Sequence, residues 1–295
     1  MATAVKPLLE PEFLARLEQL ELVSRKIFLG RMKGERRSKR KGQSVEFADY
    51  RNYVAGDDLR YLDWNLYGRL DSLHLKVYQD QEDLTLTILI DASESMAFGT
   101  PTKFEFARKL AAALGYVALV KYDRVAVEVL GGAAPLRLEP CRGRVAVRKF
   151  FAFMEGLKPG GPTNLEAACK NLAARQSKKG VAILISDFFD EAGHEDALRR
   201  LAQCGEAYAI QVLAPEELEP NLSGDLKLID AETSGFAEIS VTGALLDGYR
   251  KRLDDFVGGI RQFSNARGMG HFLVSSAAPL DAFLLETLRR GGVLR

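Results

Sequence analysis

The chain has 295 residues, of which 47% are hydrophobic and 27% are charged, as is usual for a folded globular protein of one or two domains. With 41 basic and 40 acidic residues the formal net charge is +1, so overall charge favours neither nucleic acid nor a membrane surface as partner. Three scattered cysteines and the absence of a leader-like or membrane-spanning run in the sequence predict a cytoplasmic protein that does not insert into a membrane.

The first predicted element is a helix over residues 11–29. Pro11 suits its first turn, apolar residues follow at helical spacing, and Gly30 can end it. Residues 31–41 are then rich in lysine and arginine, with one acid. Because no aromatic residue lies among these charges, we favour a solvated loop over a docking patch for nucleic acid or an acidic partner.

Aromatic and charged residues alternate in residues 43–82, which include Trp64, the only tryptophan. This pattern indicates paired charges above a buried aromatic layer, so we expect Trp64 to be buried against the sheet. A strand is predicted over residues 73–78, in which His74 has a structural role. The side chains that we expect to pair are Asp57, Asp58, Arg60 and Asp63.

An apolar, β-branched run over residues 84–90 ends abruptly at Asp91, and Ser93 and Ser95 follow it. The run predicts a buried central strand, and the Asp-x-Ser-x-Ser pattern then lies at its carboxyl end, where open α/β sheets bind ligands. Thr163 opens a later helix, and Asp187 ends a second apolar run. Their hard oxygen atoms suit Mg²⁺ or Mn²⁺, although Asp and Ser are also common in simple turns.

Strands and helices alternate through the rest of the chain, which predicts an α/β fold with a mostly parallel sheet covered by helices on both faces. We place a domain of this kind at residues 83–295, after an N-terminal extension over residues 1–82. Further strands are predicted at residues 124–130, 135–138, 181–187, 206–213, 226–230, 236–241 and 270–275. Helices are predicted at residues 102–121, 145–157, 164–176, 194–204, 245–266 and 280–290.

The order Asp-x-Ser-x-Ser, distant Thr, distant Asp resembles the metal-ion-dependent adhesion site of von Willebrand factor A domains. The resemblance implies that Ser93, Ser95 and Thr163 bind Mg²⁺ directly and that Asp91 and Asp187 hold it through water. It also implies that an acidic residue of a protein partner completes the coordination shell.

A second resemblance lies in Gly56-Asp57-Asp58-x-Arg60-x-x-Asp63-Trp64, which is followed by a strand and the Asp-x-Ser-x-Ser strand. This order is similar to that of the bacterial domain-of-unknown-function family 58, whose members are von Willebrand factor A-like. The similarity extends from about residue 42 to the C-terminus. It implies a MoxR-type AAA+ ATPase as partner and a role as adaptor or co-chaperone.

Motifs of common enzymes are missing from the sequence. There is no Gly-x-Ser-x-Gly elbow, no phosphate-binding loop with Gly-Lys-Ser/Thr, and no pair of histidines at metal-ligand spacing. We therefore expect a non-catalytic, Mg²⁺-dependent protein interaction module rather than an enzyme. Two alternatives stay open: a metal-dependent phosphoesterase that uses Asp91, and a nucleic-acid-binding protein that uses residues 31–41.

Overall fold

The computed structural model describes residues 7–23, 46–54, 57, 59–79, 84–131, 136–175, 180–190, 192–220, 224–229 and 236–295. The chain divides into two compact units. The larger comprises Met1–Leu29 and Leu84–Arg295, and the smaller comprises Gly30–Asp83.

Strands and helices are numbered here in chain order. The described strands are β1 (Glu46–Asn52), β2 (His74–Gln79), β3 (Thr85–Asp91), β4 (Arg124–Leu130), β5 (Arg137–Arg142), β6 (Val181–Ser186), β7 (Glu206–Leu213), β8 (Gly224–Ile229), β9 (Phe236–Val241) and β10 (Gly270–Ser275). The described helices are α1 (Pro11–Leu17), α2 (Trp64–Leu70), α3 (Lys103–Val120), α4 (Val147–Gly156), α5 (Leu165–Arg175), α6 (Glu195–Leu201), α7 (Pro215–Leu218), α8 (Gly243–Asn265) and α9 (Leu280–Ala282), the last continuing as a π-helical turn over Phe283–Leu288.

A six-stranded sheet forms the centre of the larger unit, in the spatial order β10-β7-β6-β3-β4-β5. Every neighbouring pair is parallel except β4 with β5, which is antiparallel. After β3 the chain adds β4 and β5 towards one edge of the sheet, and it later adds β6 on the opposite side of β3. The carboxyl ends of β3 and β6 therefore flank a point where strand order reverses, which is where open α/β sheets bind ligands. The predicted fold class, α/β with a mostly parallel sheet, is confirmed.

Strands β3, β4, β6 and β7 are buried on both faces, which explains their nearly uninterrupted apolar character, whereas the edge strands β5 and β10 are partly exposed. In β3, Leu86, Ile88 and Ile90 belong to the core that also contains α3 and α4, whereas Leu89 faces the core of α5 and α6. The central helix α3 has almost no exposed side and packs directly on β3. Gly115 of α3 permits this packing, because a Cβ atom there would overlap the ring of Phe150 on α4.

The N-terminal helix is much shorter than predicted. It ends at Leu17, and the chain is extended at Leu22, which forms an antiparallel bridge with Leu294 near the C-terminus. Leu20, one of the apolar residues that suggested a longer helix, and Leu22 are both buried although they lie beyond the end of the helix. The rest of the predicted helix, residues 24–29, lies outside the described residues, as does the basic segment at 31–41.

The smaller unit contains the antiparallel pair of β1 and β2. In chain order, a 3₁₀ turn and α2 lie between these two strands. The strand predicted at residues 73–78 is confirmed as β2, whereas β1 was not predicted. His74 has the expected structural role, since its Nδ1 lies 3.0 Å from the Ser72 carbonyl oxygen.

The expectation that Trp64 is buried is wrong, because its side chain is 64% exposed. Trp64 is the first residue of α2, and Asp63 immediately before it is the N-cap, accepting from the Asn65 and Leu66 amides. Asp63 also accepts a hydrogen bond from the Tyr50 hydroxyl at 3.0 Å. Asp57 accepts from the Val54 amide, and Asp58 lies outside the described residues.

Candidate metal centre

Asp91 is the last residue of β3 and is fully buried at the carboxyl edge of the sheet. Its Oδ1 accepts the Ser93 amide at 3.0 Å, and its Oδ2 accepts the Ser186 hydroxyl at 2.5 Å. Burial is the main reason that the pKa of Asp91 rises from 3.8 to about 6, and the nearby Asp187 carboxylate raises it further. The two carboxylates therefore repel each other in a place poorly reached by water, and a cation would relieve that repulsion.

Ser93 and Ser95 lie in the loop and 3₁₀ turn that follow β3. Their hydroxyl oxygens are 3.0 Å apart, and Ser93 is fully buried. Two neighbouring ligands of an octahedral Mg²⁺ with bonds of about 2.1 Å are separated by about 3.0 Å. The spacing of the two hydroxyls therefore fits adjacent positions around one ion.

The ends of two neighbouring segments hold this loop in place. Gly131, just after β4, has a φ of +77°, and a Cβ atom there would lie 2.8 Å from the Ser93 nitrogen. Only glycine allows β4 to approach the loop so closely. On the other side, the Gly160 amide donates to the Ala92 carbonyl at 2.7 Å and the Glu94 amide donates to the Gly161 carbonyl at 2.9 Å.

Thr163 lies two residues after Gly161 in the chain and is half-buried. The loop that carries Thr163 is therefore joined through its backbone to the loop that carries Ser93 and Ser95. The helix that it opens, α5, is fixed at its start by Asp190, whose Oδ2 accepts the Leu165 amide at 2.9 Å. Asp190 lies three residues beyond Asp187, so the segment after β6 is also attached to the Thr163 loop.

Asp187 follows the last residue of β6 and is fully buried. Its Oδ1 accepts the Phe189 amide at 3.0 Å. Its Oδ2 accepts from the Nζ atom of Lys103, the first residue of α3, at 2.6 Å. The same Nζ lies 2.6 Å from Glu217 Oε1, and the Lys103 side chain is only 1% exposed.

Glu217, on the short helix α7, is the third member of this buried charge cluster. Burial raises its pKa above the usual range, although Lys103 opposes that rise. Its Oε2 accepts the Ala214 amide at 2.8 Å, which anchors the side chain to the end of β7. Two aromatic rings flank the ammonium group, with centroids 5.9 Å away for Phe98 and 5.1 Å for Phe189.

A relay of polar side chains supports the backbone at Asp187. Gln211 of β7 donates from Nε2 to the Asp187 carbonyl at 3.3 Å. Its Oε1 lies 3.2 Å from His271 Nε2 on β10. The carbonyl of Asp187 is thus tied through β7 to the edge strand of the sheet.

Sequence reasoning named Asp91, Ser93, Ser95, Thr163 and Asp187 as the site. Hydrogen bonds join Asp91 with Ser93 and Ser93 with Ser95, and backbone hydrogen bonds join the loop of Thr163 to the loop of Ser93 and Ser95. The Asp187 carboxylate is near enough to Asp91 to raise its pKa. Direct ligation by Ser93, Ser95 and Thr163, with Asp91 and Asp187 holding the ion through water, stays a prediction.

Three side chains that contact the candidate site, or a side chain bound to it, were missed, namely Ser186, Lys103 and Glu217. Ser186 directly precedes Asp187 and could have been included from that position alone. Lys103 was included only as part of the helix predicted at residues 102–121, and nothing near Glu217 in the sequence suggests a role.

Carboxylates alone do not form a metal site in the part of the chain that the structure describes, where no three or more His, Cys, Asp or Glu side chains form a group able to hold an ion. A cation at this edge would depend on the serine and threonine hydroxyls together with Asp91 and Asp187. Such neutral and anionic oxygen donors are the ligands that hard divalent cations take, so the donor set fits Mg²⁺ or Mn²⁺.

A family model described as "Protein of unknown function DUF58" matches residues 49–255, which is more than half of the chain. The chain belongs to this family. The family predicted from the sequence is therefore confirmed.

Among curated proteins, the uncharacterized protein Mb1516 of Mycobacterium bovis is 29% identical over 247 residues, covering 82% of this chain and 78% of that protein. Among solved structures, the conserved hypothetical protein BatB of Bacteroides thetaiotaomicron is 15% identical, with a TM-score of 0.45, over 71% of this chain and 97% of that one. A von Willebrand factor type A protein of Catenulispora acidiphila is 16% identical, with a TM-score of 0.40, over 72% and 42% of the two chains. In the described ranges no helix has the length and apolarity needed to cross a bilayer.

Proposed function

We propose that this protein is a non-catalytic, Mg²⁺-dependent protein interaction module. The observation that carries the proposal is the pair of hydroxyls, Ser93 and Ser95, held 3.0 Å apart beside the buried Asp91 at the switch point of the sheet. When bound, Mg²⁺ or Mn²⁺ supplies a positive charge with an exchangeable coordination position that a carboxylate can take.

Two groups of residues would hold the cation, one directly and one through water molecules. Ser93, Ser95 and Thr163 would be direct ligands, and Asp91 and Asp187 would accept hydrogen bonds from its water molecules, as the resemblance to the adhesion site implies. The direct ligands are neutral, so the cation would keep enough charge to attract an acidic residue from a partner. By the same resemblance, the partner is a MoxR-type AAA+ ATPase, with the protein acting as its adaptor or co-chaperone.

Two observations support binding over catalysis. Both carboxylate oxygens of Asp91 accept hydrogen bonds and the side chain is buried, which makes it a poor nucleophile for phosphoryl transfer. The three histidines lie against Ser72, Phe256 and Gln211, so none is placed as a base beside a site serine.

The experiment is capture of a purified MoxR-type ATPase on the immobilised protein, with Mg²⁺ or with chelator. We expect capture to be lost with chelator and in Ser93→Ala, and to be kept in Ser240→Ala, which removes an exposed serine of β9. Capture that ignores both chelator and Ser93→Ala would contradict the proposal.

The same proteins test the two alternatives. Hydrolysis of an aryl phosphate that disappears in Asp91→Asn would favour the phosphoesterase. Nucleic-acid binding that weakens steeply with salt would favour a role for residues 31–41, because phosphate contacts release counterions.

A further inference from the structure

Lys103 is a buried lysine at an electrostatically unfavourable position. It is the first residue of α3, where the helix dipole disfavours a cation, and its side chain is 1% exposed. Burying an ammonium costs several kcal/mol, which only close anionic partners offset. Those partners are Asp187 and Glu217, each 2.6 Å from Nζ.

The hydrogen bonds of Asp187 show what this arrangement does to the carboxylate. Oδ2 is held by Lys103 and Oδ1 by the Phe189 amide, so both oxygens already have a strong donor. A carboxylate fixed in this way can accept a further hydrogen bond from water but is not drawn to a metal as a free carboxylate is. The positive charge of Lys103 also offsets the negative charge that Asp187 presents to a cation.

We propose that Lys103 is a positioning residue that keeps Asp187 from binding the cation directly and thereby sets a low affinity of the site for divalent cations. This inference rests on the proposed function, because it concerns the same site. A weakly held cation keeps its exchangeable position, so stable occupancy depends on the carboxylate that a partner brings. Glu217 acts in the opposite sense, since it shares the ammonium and reduces the charge that bears on Asp187.

The test is the dissociation constant of Mn²⁺ alone, measured by electron paramagnetic resonance with purified full-length protein. Lys103→Met, which keeps the length of the side chain and removes its charge, should bind Mn²⁺ at least about tenfold more tightly. Glu217→Gln should bind it severalfold more weakly. Lys109→Met, which removes a partly exposed lysine of the same helix paired with Glu105, should leave the affinity unchanged.

A double-mutant cycle separates positioning from a general charge effect. If Lys103 acts through Asp187, adding Lys103→Met to Asp187→Asn should change the affinity much less than it does in the parent protein. An effect of full size in the Asp187→Asn background would overturn the positioning role. Should Lys103→Met fail to fold, Lys103→Met with Glu217→Gln replaces it, because that pair leaves Asp187 as the one charged member of the Lys103–Asp187–Glu217 cluster.

The outcomes distinguish this inference from the proposed function. Equal Mn²⁺ affinity of the parent and Lys103→Met, with binding by both, overturns the role of Lys103 and leaves the metal site standing. Binding by Lys103→Met but not by the parent alone supports the role of Lys103, because the parent site then depends on the carboxylate that a partner brings. Absence of binding in both, up to millimolar Mn²⁺, overturns both.

Discussion

The raised pKa of Asp91 predicts that the cation-depleted protein is more stable when this side chain carries no charge. The change is Asp91→Asn, which fits the local hydrogen bonds. The amide oxygen can accept the Ser93 amide as Oδ1 does now, and the new NH₂ group can donate to the Ser186 hydroxyl. That hydroxyl already accepts the Phe188 amide and keeps a second lone pair.

The size of the effect follows from the pKa, which the fold raises from 3.8 to about 6. This rise corresponds to about 3 kcal/mol of folding free energy. Because the folded pKa is raised, the stabilising contribution is complete below pH 3.8 and is lost as the pH rises through about 6. At pH 7.5 Asp91→Asn should therefore be up to about 3 kcal/mol more stable than the parent, and near pH 4 the difference should vanish.

Urea unfolding followed by circular dichroism, in chelator and between pH 4 and 8, measures this difference. Adding Mg²⁺ at a hundred times its dissociation constant should then stabilise the parent by about 2.7 kcal/mol and leave Asp91→Asn unchanged. Equal stability of the two proteins at pH 7.5 in chelator, or a less stable variant, would refute the reasoning about the buried carboxylate pair.

Three further predictions concern the scaffold. Gly115→Ala should lower the unfolding free energy by about 1–3 kcal/mol, because its Cβ atom would overlap Phe150. The control, Gly258→Ala on α8, has open space around it and should be neutral or stabilising by up to about 1 kcal/mol. A Gly115→Ala protein as stable as the parent would contradict the packing. Burial lowers the pKa of His271 to about 4, so its contribution to the free energy of unfolding is present above pH 6.5 and is lost as the pH falls towards 4. His271→Gln should remove at most about 3 kcal/mol of this pH dependence. An unchanged dependence of the unfolding free energy on pH between 4.5 and 7 in the variant would count against this prediction. Trp64→Ala should cost no more than about 0.5 kcal/mol, and Trp64 should fluoresce like free tryptophan in water, so that a strongly blue-shifted emission would place it in a buried setting.

Sequence patterns predicted the inner strands of the sheet well because β3, β4, β6 and β7 are buried on both faces. Apolar runs such as residues 84–90 and 181–186 are typical of strands in the interior of a parallel sheet. The strands β4, β7 and β10 have the predicted limits. The Asp-x-Ser-x-Ser loop was likewise predictable, since its residues are adjacent in the chain and lie at the end of such a strand.

What the sequence could not predict depends on contacts between distant residues. Lys103 is separated from Asp187 by 84 residues and from Glu217 by 114, so nothing near this lysine in the sequence indicates that it is buried between two acids. The N-terminal helix was overextended because its apolar spacing also suits a segment that pairs with residue 294. Trp64 was assigned to a buried layer from the alternation of aromatic and charged residues around it, but the cap made by Asp63 begins a helix that leaves its first side chain in solvent.

The central claim is that the carboxyl ends of β3 and β6 hold a divalent cation through Ser93 and Ser95. Anomalous X-ray diffraction from crystals soaked in Mn²⁺ tests it most directly, because it locates the ion without reference to any partner or activity. We expect one strong peak within about 2.2 Å of both serine hydroxyl oxygens, absent from Ser93→Ala crystals treated in the same way. A well-diffracting crystal with no peak at these serines, or with an equal peak in Ser93→Ala, would contradict the claim.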